Sequence, residues 1–156
     1  GWRIGYAVGP VELIEPIAKL LGQSTTCANS VSQAAAVAAL NGDQSRVREV
    51  TKLYRERRDR MIKMLEGVPG IRVSPPSGAF YLYPSVSGLI GKQTPDGLML
   101  KSDLDVSLYL LDAANVAVLD GAAYGLSPYL RLSFATSLAL IDEGCKRIRK
   151  ACEALR

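Results

Sequence analysis

The stretch Tyr129-Leu130-Arg131-Leu132-Ser133-Phe134-Ala135 limits the fold more than any other. Its residues alternate, with Leu130, Leu132 and Phe134 on one side and Arg131, Ser133 and Ala135 on the other. That is the period of a strand with one face in a core. Arg131 then stands in mid-strand between apolar neighbours. A guanidinium buried there without a partner costs several kcal/mol, so it should meet an anion. Its planar fork suits a carboxylate through two parallel hydrogen bonds. The alternative is an edge-strand Arg in water, or one paired with a structural Asp.

A second Arg with a special setting stands at the other end of the chain. Gly1-Trp2-Arg3-Ile4-Gly5-Tyr6 brackets a Trp and an Arg with glycines. A strand is expected over Ile4–Val8, closed by Gly9-Pro10. An Arg at a strand start, with glycines that let backbone approach a bound phosphate, reads as an anion site. A surface Arg in a Gly-flanked edge strand gives the same pattern.

Between these points the apolar spacing predicts helices over Val11–Leu21, ended by Gly22, and over Val31–Leu40, ended by Asn41-Gly42. The second is Ala-rich, as for close packing against something large. A long helix from Asp43 or Ser45 to about Glu66 carries the stripe Val47, Val50, Leu53, Tyr54, Met61, Met64 and Leu65. Its charged face offers Glu56–Arg60 and Asp59–Lys63 as i,i+4 pairs, the pattern of a solvated surface rather than of nucleic-acid binding. Short strands follow at 71–73 and 79–84. Ser102 starts a helix with Leu104, Leu108, Leu111 and Ala114 inward and Asn115 as a left-handed cap. Val116–Leu119 reads as a buried strand, Asp120–Pro128 as a glycine-containing loop. Ser137 opens a last helix with Leu138, Ile141, Cys145, Ile148, Cys152 and Leu155 on one stripe.

Two strands, a helix, two strands and a helix from residue 43 onward make an α/β unit. Residues 1–42 lack sheet partners of their own and read as the tail of a larger domain.

Composition narrows the chemistry. The 156 residues carry a net charge of +4 and no His, which removes the commonest general base and metal ligand. No metal site is expected. The positive residues form no patch with interleaved aromatics, so no nucleic-acid partner is expected. No stretch approaches the roughly 20 apolar residues of a membrane span. Cys27, Cys145 and Cys152 show no CxxC spacing, and the last two fall on a helix as small core residues of a cytoplasmic protein.

The ordered set Gly1-Trp2-Arg3-Ile4-Gly5-Tyr6, a long charged helix, Gly78-Ala79-Phe80-Tyr81, Gly121-Ala122-Ala123-Tyr124-Gly125 and Arg131-Leu132-Ser133-Phe134-Ala135-Thr136-Ser137 resembles the fold-type I aminotransferases that use pyridoxal 5'-phosphate. Within that family it resembles the bacterial aspartate aminotransferases. The resemblance covers the whole chain as the C-terminal part of a longer enzyme. It implies an α/β fold, with residues 1–42 as the tail of the cofactor-binding large domain. Residues 43–156 would be the interdomain helix and small domain, a mixed sheet with flanking helices.

The resemblance further implies that Arg3 binds the cofactor phosphate, that Arg131 grips the substrate α-carboxylate, and that Phe80 lies near the substrate entrance. The Schiff-base lysine of the family lies upstream of Gly1, so no catalytic residue is expected in this chain, and Lys92 and Lys101 are no substitute. Substrates would be an amino acid, aspartate first, and a 2-oxo acid such as 2-oxoglutarate. The intact enzyme would be a cytoplasmic homodimer. A lyase or decarboxylase on the same fold, or a non-catalytic carboxylate-binding module, are the alternatives.

Overall fold

The computed structural model describes residues 2–156; Gly1, the first glycine of the N-terminal motif, lies outside the described residues. The chain divides into two compact units, one reaching to Glu49 and the other Val50–Arg156.

The first unit holds helices α1 (Val11–Ser24) and α2 (Ser30–Asn41) after an irregular segment at 2–10. The strand expected over Ile4–Val8 does not form. No strand is described in this unit, and an extended segment without a neighbour leaves its N–H and C=O groups to water. Helix α1 passes through Gly22 instead of stopping there. Thr26, at φ 61°, takes the left-handed position expected of the glycine, and its N–H bonds the carbonyl of Leu21 at 2.9 Å. The Asn29 side chain caps α2, accepting from the N–H groups of Val31 (2.9 Å) and Ser32 (3.2 Å). Among the described residues of this unit only Ser32 is buried, and its hydroxyl donates to the Trp2 carbonyl at 3.1 Å. Val8, Val31, Val37 and Leu40 are all exposed.

Helix α3 (Ser45–Leu65) runs from the first unit into the second. Only the C-terminal half of its expected stripe is inside. Met61 and Leu65 join the core and Tyr54 and Met64 pack on it, while Val47 and Leu53 stay exposed. The ion pairs also differ from expectation. Arg60 forks onto Asp142 at 2.6 and 2.7 Å, and Asp59 takes Arg58. Neither Glu56–Arg60 nor Asp59–Lys63 is an ion pair. A bidentate partner on another helix outweighs an i,i+4 neighbour worth a few tenths of a kcal/mol. Arg149 adds a second tie, donating to the carbonyls of Met64 (2.9 Å) and Glu66 (2.8 Å) at the end of α3.

The sheet has three short strands, β1 (Tyr81–Leu82), β2 (Leu119–Asp120) and β3 (Leu130–Ser133), in the order β1-β3-β2. Every pairing among the described residues is antiparallel, including the bridges Arg72↔Ser85 and Ser85↔Tyr129. No parallel component of a mixed sheet is seen among them. The strand expected at 71–73 is reduced to one of those bridges.

Helix α4 (Asp103–Ala114) starts as expected, with the Ser102 hydroxyl accepting from the Asp105 N–H at 3.1 Å, and ends at left-handed Asn115 (φ 52°). Its inward face is rotated from the expected one. Val106, Leu110 and Ala114 are buried together with Asp103 and Ser107, whereas Leu104, Leu108 and Leu111 are about half exposed. Leucines lie on both sides of this helix, so periodicity alone cannot choose between them. The segment after it alternates, with Val116 and Val118 half-buried and Ala117 and Leu119 exposed, and is not the buried strand expected.

Helix α5 (Leu138–Glu153), capped by Ser137, buries the expected stripe except for Leu138, which is half-buried. Burial pushes the Cys145 and Cys152 thiols up to about 11. The core of the second unit lies between α3, α4, α5 and the apolar face of the sheet, with Phe134 among its largest fully buried side chains. No helix among the described residues is long and apolar enough to cross a membrane.

Phe134→Ala should destabilise the chain by about 3–5 kcal/mol, the range for deleting a buried aromatic, read as a lower urea midpoint. The Arg60 fork holds the Asp142 carboxyl below the usual carboxylate range. A depressed folded value contributes stability that is present above about pH 4 and lost as pH falls through the lowered value. Asp142→Asn should therefore reduce stability at neutral pH and flatten the acid limb of a urea-midpoint-against-pH curve.

Candidate active site

The pleat of β3 puts Leu130 and Leu132 into the core and turns Arg131 and Ser133 to the other face. On that face stand two tyrosines, Tyr81 of β1 and Tyr83 just beyond the strand. Tyr81 pairs with Ser133, and the register continues to the Ser85↔Tyr129 bridge, which sets Tyr83 opposite Arg131. The guanidinium of Arg131 lies between two rings, 4.5 Å from the Tyr81 centroid and 4.1 Å from that of Tyr124. Each such contact is worth about 0.5–1 kcal/mol at a partly exposed site. The rings hold the plane of the cation and leave its charge uncompensated.

Among the described residues, no carboxylate comes within 4.0 Å of Arg131, and its guanidinium makes no hydrogen bond. The paired structural Asp considered from sequence is thus not present. The result is a half-buried, sandwiched cation with its donors free.

Two carboxylates do lie near the Tyr124 loop, and both are committed to its backbone. Asp103, 1% exposed at the first turn of α4, accepts from the Ala122 N–H at 3.0 Å. Asp120 accepts from the Ala123 N–H at 3.0 Å. Between them Ala122–Tyr124 forms a single 3-10 turn, closed by left-handed Gly125 (φ 77°). Gly121 before it has no room for a side chain, because a Cβ would run into the Leu126 carbonyl oxygen and lie 2.9 Å from Tyr129.

Tyr83 completes the face. Its hydroxyl is buried without a hydrogen-bond partner. Burial pushes the phenol above its ordinary value, and the positive charge of Arg131 opposes that shift. Phe80 is one ring removed from Arg131. It is 41% exposed and packs at 4.4 Å on Tyr81, with Tyr54 at 6.3 Å on its other side. The residue before it, Ala79, is held at φ 59°, an uncommon conformation for a residue with a side chain.

Arg131 and Phe80 are therefore linked through Tyr81 within the second unit. Arg3 belongs to the first. It is exposed, at φ 52°, with no carboxylate within 4.0 Å among the described residues. The neighbouring Trp2 carbonyl is tied to Ser32 of α2. A free guanidinium on a tied segment is the donor type that a phosphate requires.

Sequence reasoning missed Tyr81, Tyr83, Tyr124, Asp103 and Asp120. The tyrosines of β1 were within reach, since alternation in Tyr81-Leu82-Tyr83 puts both on the side opposite Leu82. Tyr124 and Asp103 carry no such signal, because a loop and a helix terminus from distant segments set them.

The chain matches a known family. The model for "Aminotransferase class I and II" matches residues 1–148. The chain belongs to the class I and II aminotransferases. An aspartate aminotransferase of Rhizobium meliloti (strain 1021) is 48% identical over 99% of the chain, which covers 38% of that protein. A probable aspartate/prephenate aminotransferase of Rhizobium leguminosarum bv. phaseoli is 46% identical over 100% of the chain and 39% of its own length. The crystal structure of the aspartate aminotransferase from Rhizobium meliloti superposes with a TM-score of 0.86 at 46% identity, over 99% of this chain and 39% of that one. The aminotransferase chain described here thus spans under two-fifths of the length of these relatives.

With tyrosine labelled at Cζ and followed by NMR, Tyr83 should titrate above an ordinary tyrosine. Arg131→Met, which removes the opposing charge, should move it higher still. A Tyr83 resonance unmoved by Arg131→Met would separate the two groups.

Proposed function

We propose that this chain is the C-terminal part of a pyridoxal-phosphate-dependent aminotransferase, and that Arg131 takes the α-carboxylate of its substrate. The observation that carries the reading is the Arg131 guanidinium held between Tyr81 and Tyr124 with its donors free. The amino donor would be aspartate and the acceptor a 2-oxo acid such as 2-oxoglutarate; the names of the relatives support the aspartate part. Residues 1–42 would belong to the cofactor-binding large domain. The bare apolar residues of the first unit support this, since they have no core of their own to enter. Residues 43–156 would be the interdomain helix and the small domain. The intact enzyme would be a cytoplasmic homodimer.

Pyridoxal phosphate, when bound, supplies the electron sink that acidifies the substrate's α-C–H bond. Arg3 would hold its phosphate. Arg131 would donate two parallel charge-assisted bonds to the α-carboxylate, a geometry that fixes the carboxylate plane and with it the direction of the α-C–H bond. The tyrosine rings on both sides keep the guanidinium from swinging, so that the orientation is present before substrate arrives. Phe80, on the outer side of Tyr81, would line the entrance and shield that contact from water. The proton itself would be moved by the family's Schiff-base lysine, a role proposed for no residue of this chain.

In the full-length enzyme, Arg131→Ala should lower kcat/KM for amino acids by on the order of a hundredfold or more, from two lost bonds to a charged group at about 1.5–3 kcal/mol each. Arg131→Lys, which keeps the charge but not the fork, should recover only part of it. Steady-state kinetics with aspartate and 2-oxoglutarate check this, and unchanged values would remove Arg131 from the carboxylate site.

A further inference from the structure

The Asp103 carboxylate and the Tyr124 ring on Arg131 are joined through one short turn. We infer that Asp103 is a positioning residue for substrate recognition, acting through the Ala122–Tyr124 turn that lays the Tyr124 ring on the Arg131 guanidinium. This rests on the reading of Arg131 as the carboxylate site.

Asp103 sits at the first helical position of α4 and is almost completely buried. An ionised carboxylate in such a place is costly unless it is hydrogen-bonded. Two features of the fold stabilise it there. The N-terminal end of α4 is favourable for negative charge, and the Ala122 N–H donates to it at 3.0 Å. That bond joins α4 to a loop nineteen residues further along the chain. Asp120 holds the next N–H, that of Ala123, so both free amides at the start of the 3-10 turn are taken by carboxylates. Gly121, with no room for a Cβ, leaves the turn little freedom to tilt.

Tyr124 is the last residue of that turn, and its own side chain is half exposed. Nothing in the ring's burial would keep it in place, so its position 4.1 Å from the Arg131 carbon follows from the backbone beneath it. Tyr81, on the opposite side of the cation, is held by the β1–β3 pairing and needs no such support. Loss of Asp103 should therefore release one wall of the sandwich and leave the other. The guanidinium would keep its charge and lose its fixed plane, so a carboxylate substrate would be bound less tightly and oriented less well, while an amine without a carboxylate would react as before.

The test uses the full-length, cofactor-loaded enzyme and two amine donors, aspartate and a primary amine without a carboxylate. Asp103→Ala should lower kcat/KM for aspartate about tenfold, the scale of one hydrogen bond to a charged group, with the carboxylate-free amine unaffected. Asp103→Asn keeps an acceptor for the Ala122 N–H and should recover most of the loss. Tyr124→Ala should reproduce the Asp103→Ala effect, and the double variant should be no worse than either single one, because the two act on one contact.

Equal losses for both donors, or additive losses in the double variant, would overturn the inference. If Asp103→Ala does not fold, Tyr124→Ala carries the test, and an unchanged kcat/KM for aspartate there would overturn it equally. The two readings fail differently. Arg131→Ala without loss of preference for aspartate removes the carboxylate site and the inference with it. A selective loss in Arg131→Ala beside unchanged Asp103→Ala and Tyr124→Ala removes the inference alone.

Discussion

The two-sidedness of β3 is the constraint from which the second unit is built. One face delivers Leu130, Leu132 and, just beyond the strand, Phe134 to a core closed by α3, α4 and α5. The other face must then present Arg131 away from that core, since the side-chain period of a strand allows no other choice. Burial of three large side chains holds in place a cation that, by itself, would be unfavourable in an apolar strand. Core formation and the presentation of a free cation are thus two faces of one segment.

The environment of that cation is selective about what it provides. Aromatic rings fill the space on both sides of Arg131, whereas the acidic side chains of the neighbourhood, Asp103 and Asp120, are turned to backbone amides. A carboxylate on Arg131 would have stabilised the resting chain and competed with any incoming anion. Rings stabilise the cation by a smaller amount and do not compete with an anion for its N–H donors. The buried, unpartnered Tyr83 hydroxyl on the same face fits a site whose polar groups are not all satisfied internally.

The first unit follows a different logic. Its helices are well capped locally, by Asn29 in one case and by left-handed Thr26 in the other. Its apolar residues nevertheless remain outside, and Ser32 is its only buried residue among those described. Local hydrogen bonding is sufficient to form the helices; it is not sufficient to form a core.

Much of this was legible from sequence where the signal is local and periodic. The alternation of β3, the stripe of α5 and the caps at Ser102, Ser137 and Asn115 all follow from the nearest few residues. What the sequence left open are choices between nearly equivalent local options. Leucines on both sides of α4 permit two inward faces, and packing against β2 and α5 selects the one with Val106 and Leu110. Arg60 could pair along its helix or across to α5, and the distant Asp142 wins because it offers a bidentate contact. Residues 4–8 have strand character without a neighbour to pair with. Tyr124 reaches Arg131 only because a helix terminus and a loop meet through Asp103. The sequence by itself determined where the helices lie and which face of β3 is polar, because those depend on near-neighbour geometry. The tertiary structure alone decided which faces, charges and rings would meet, because those contacts join residues far apart in the chain.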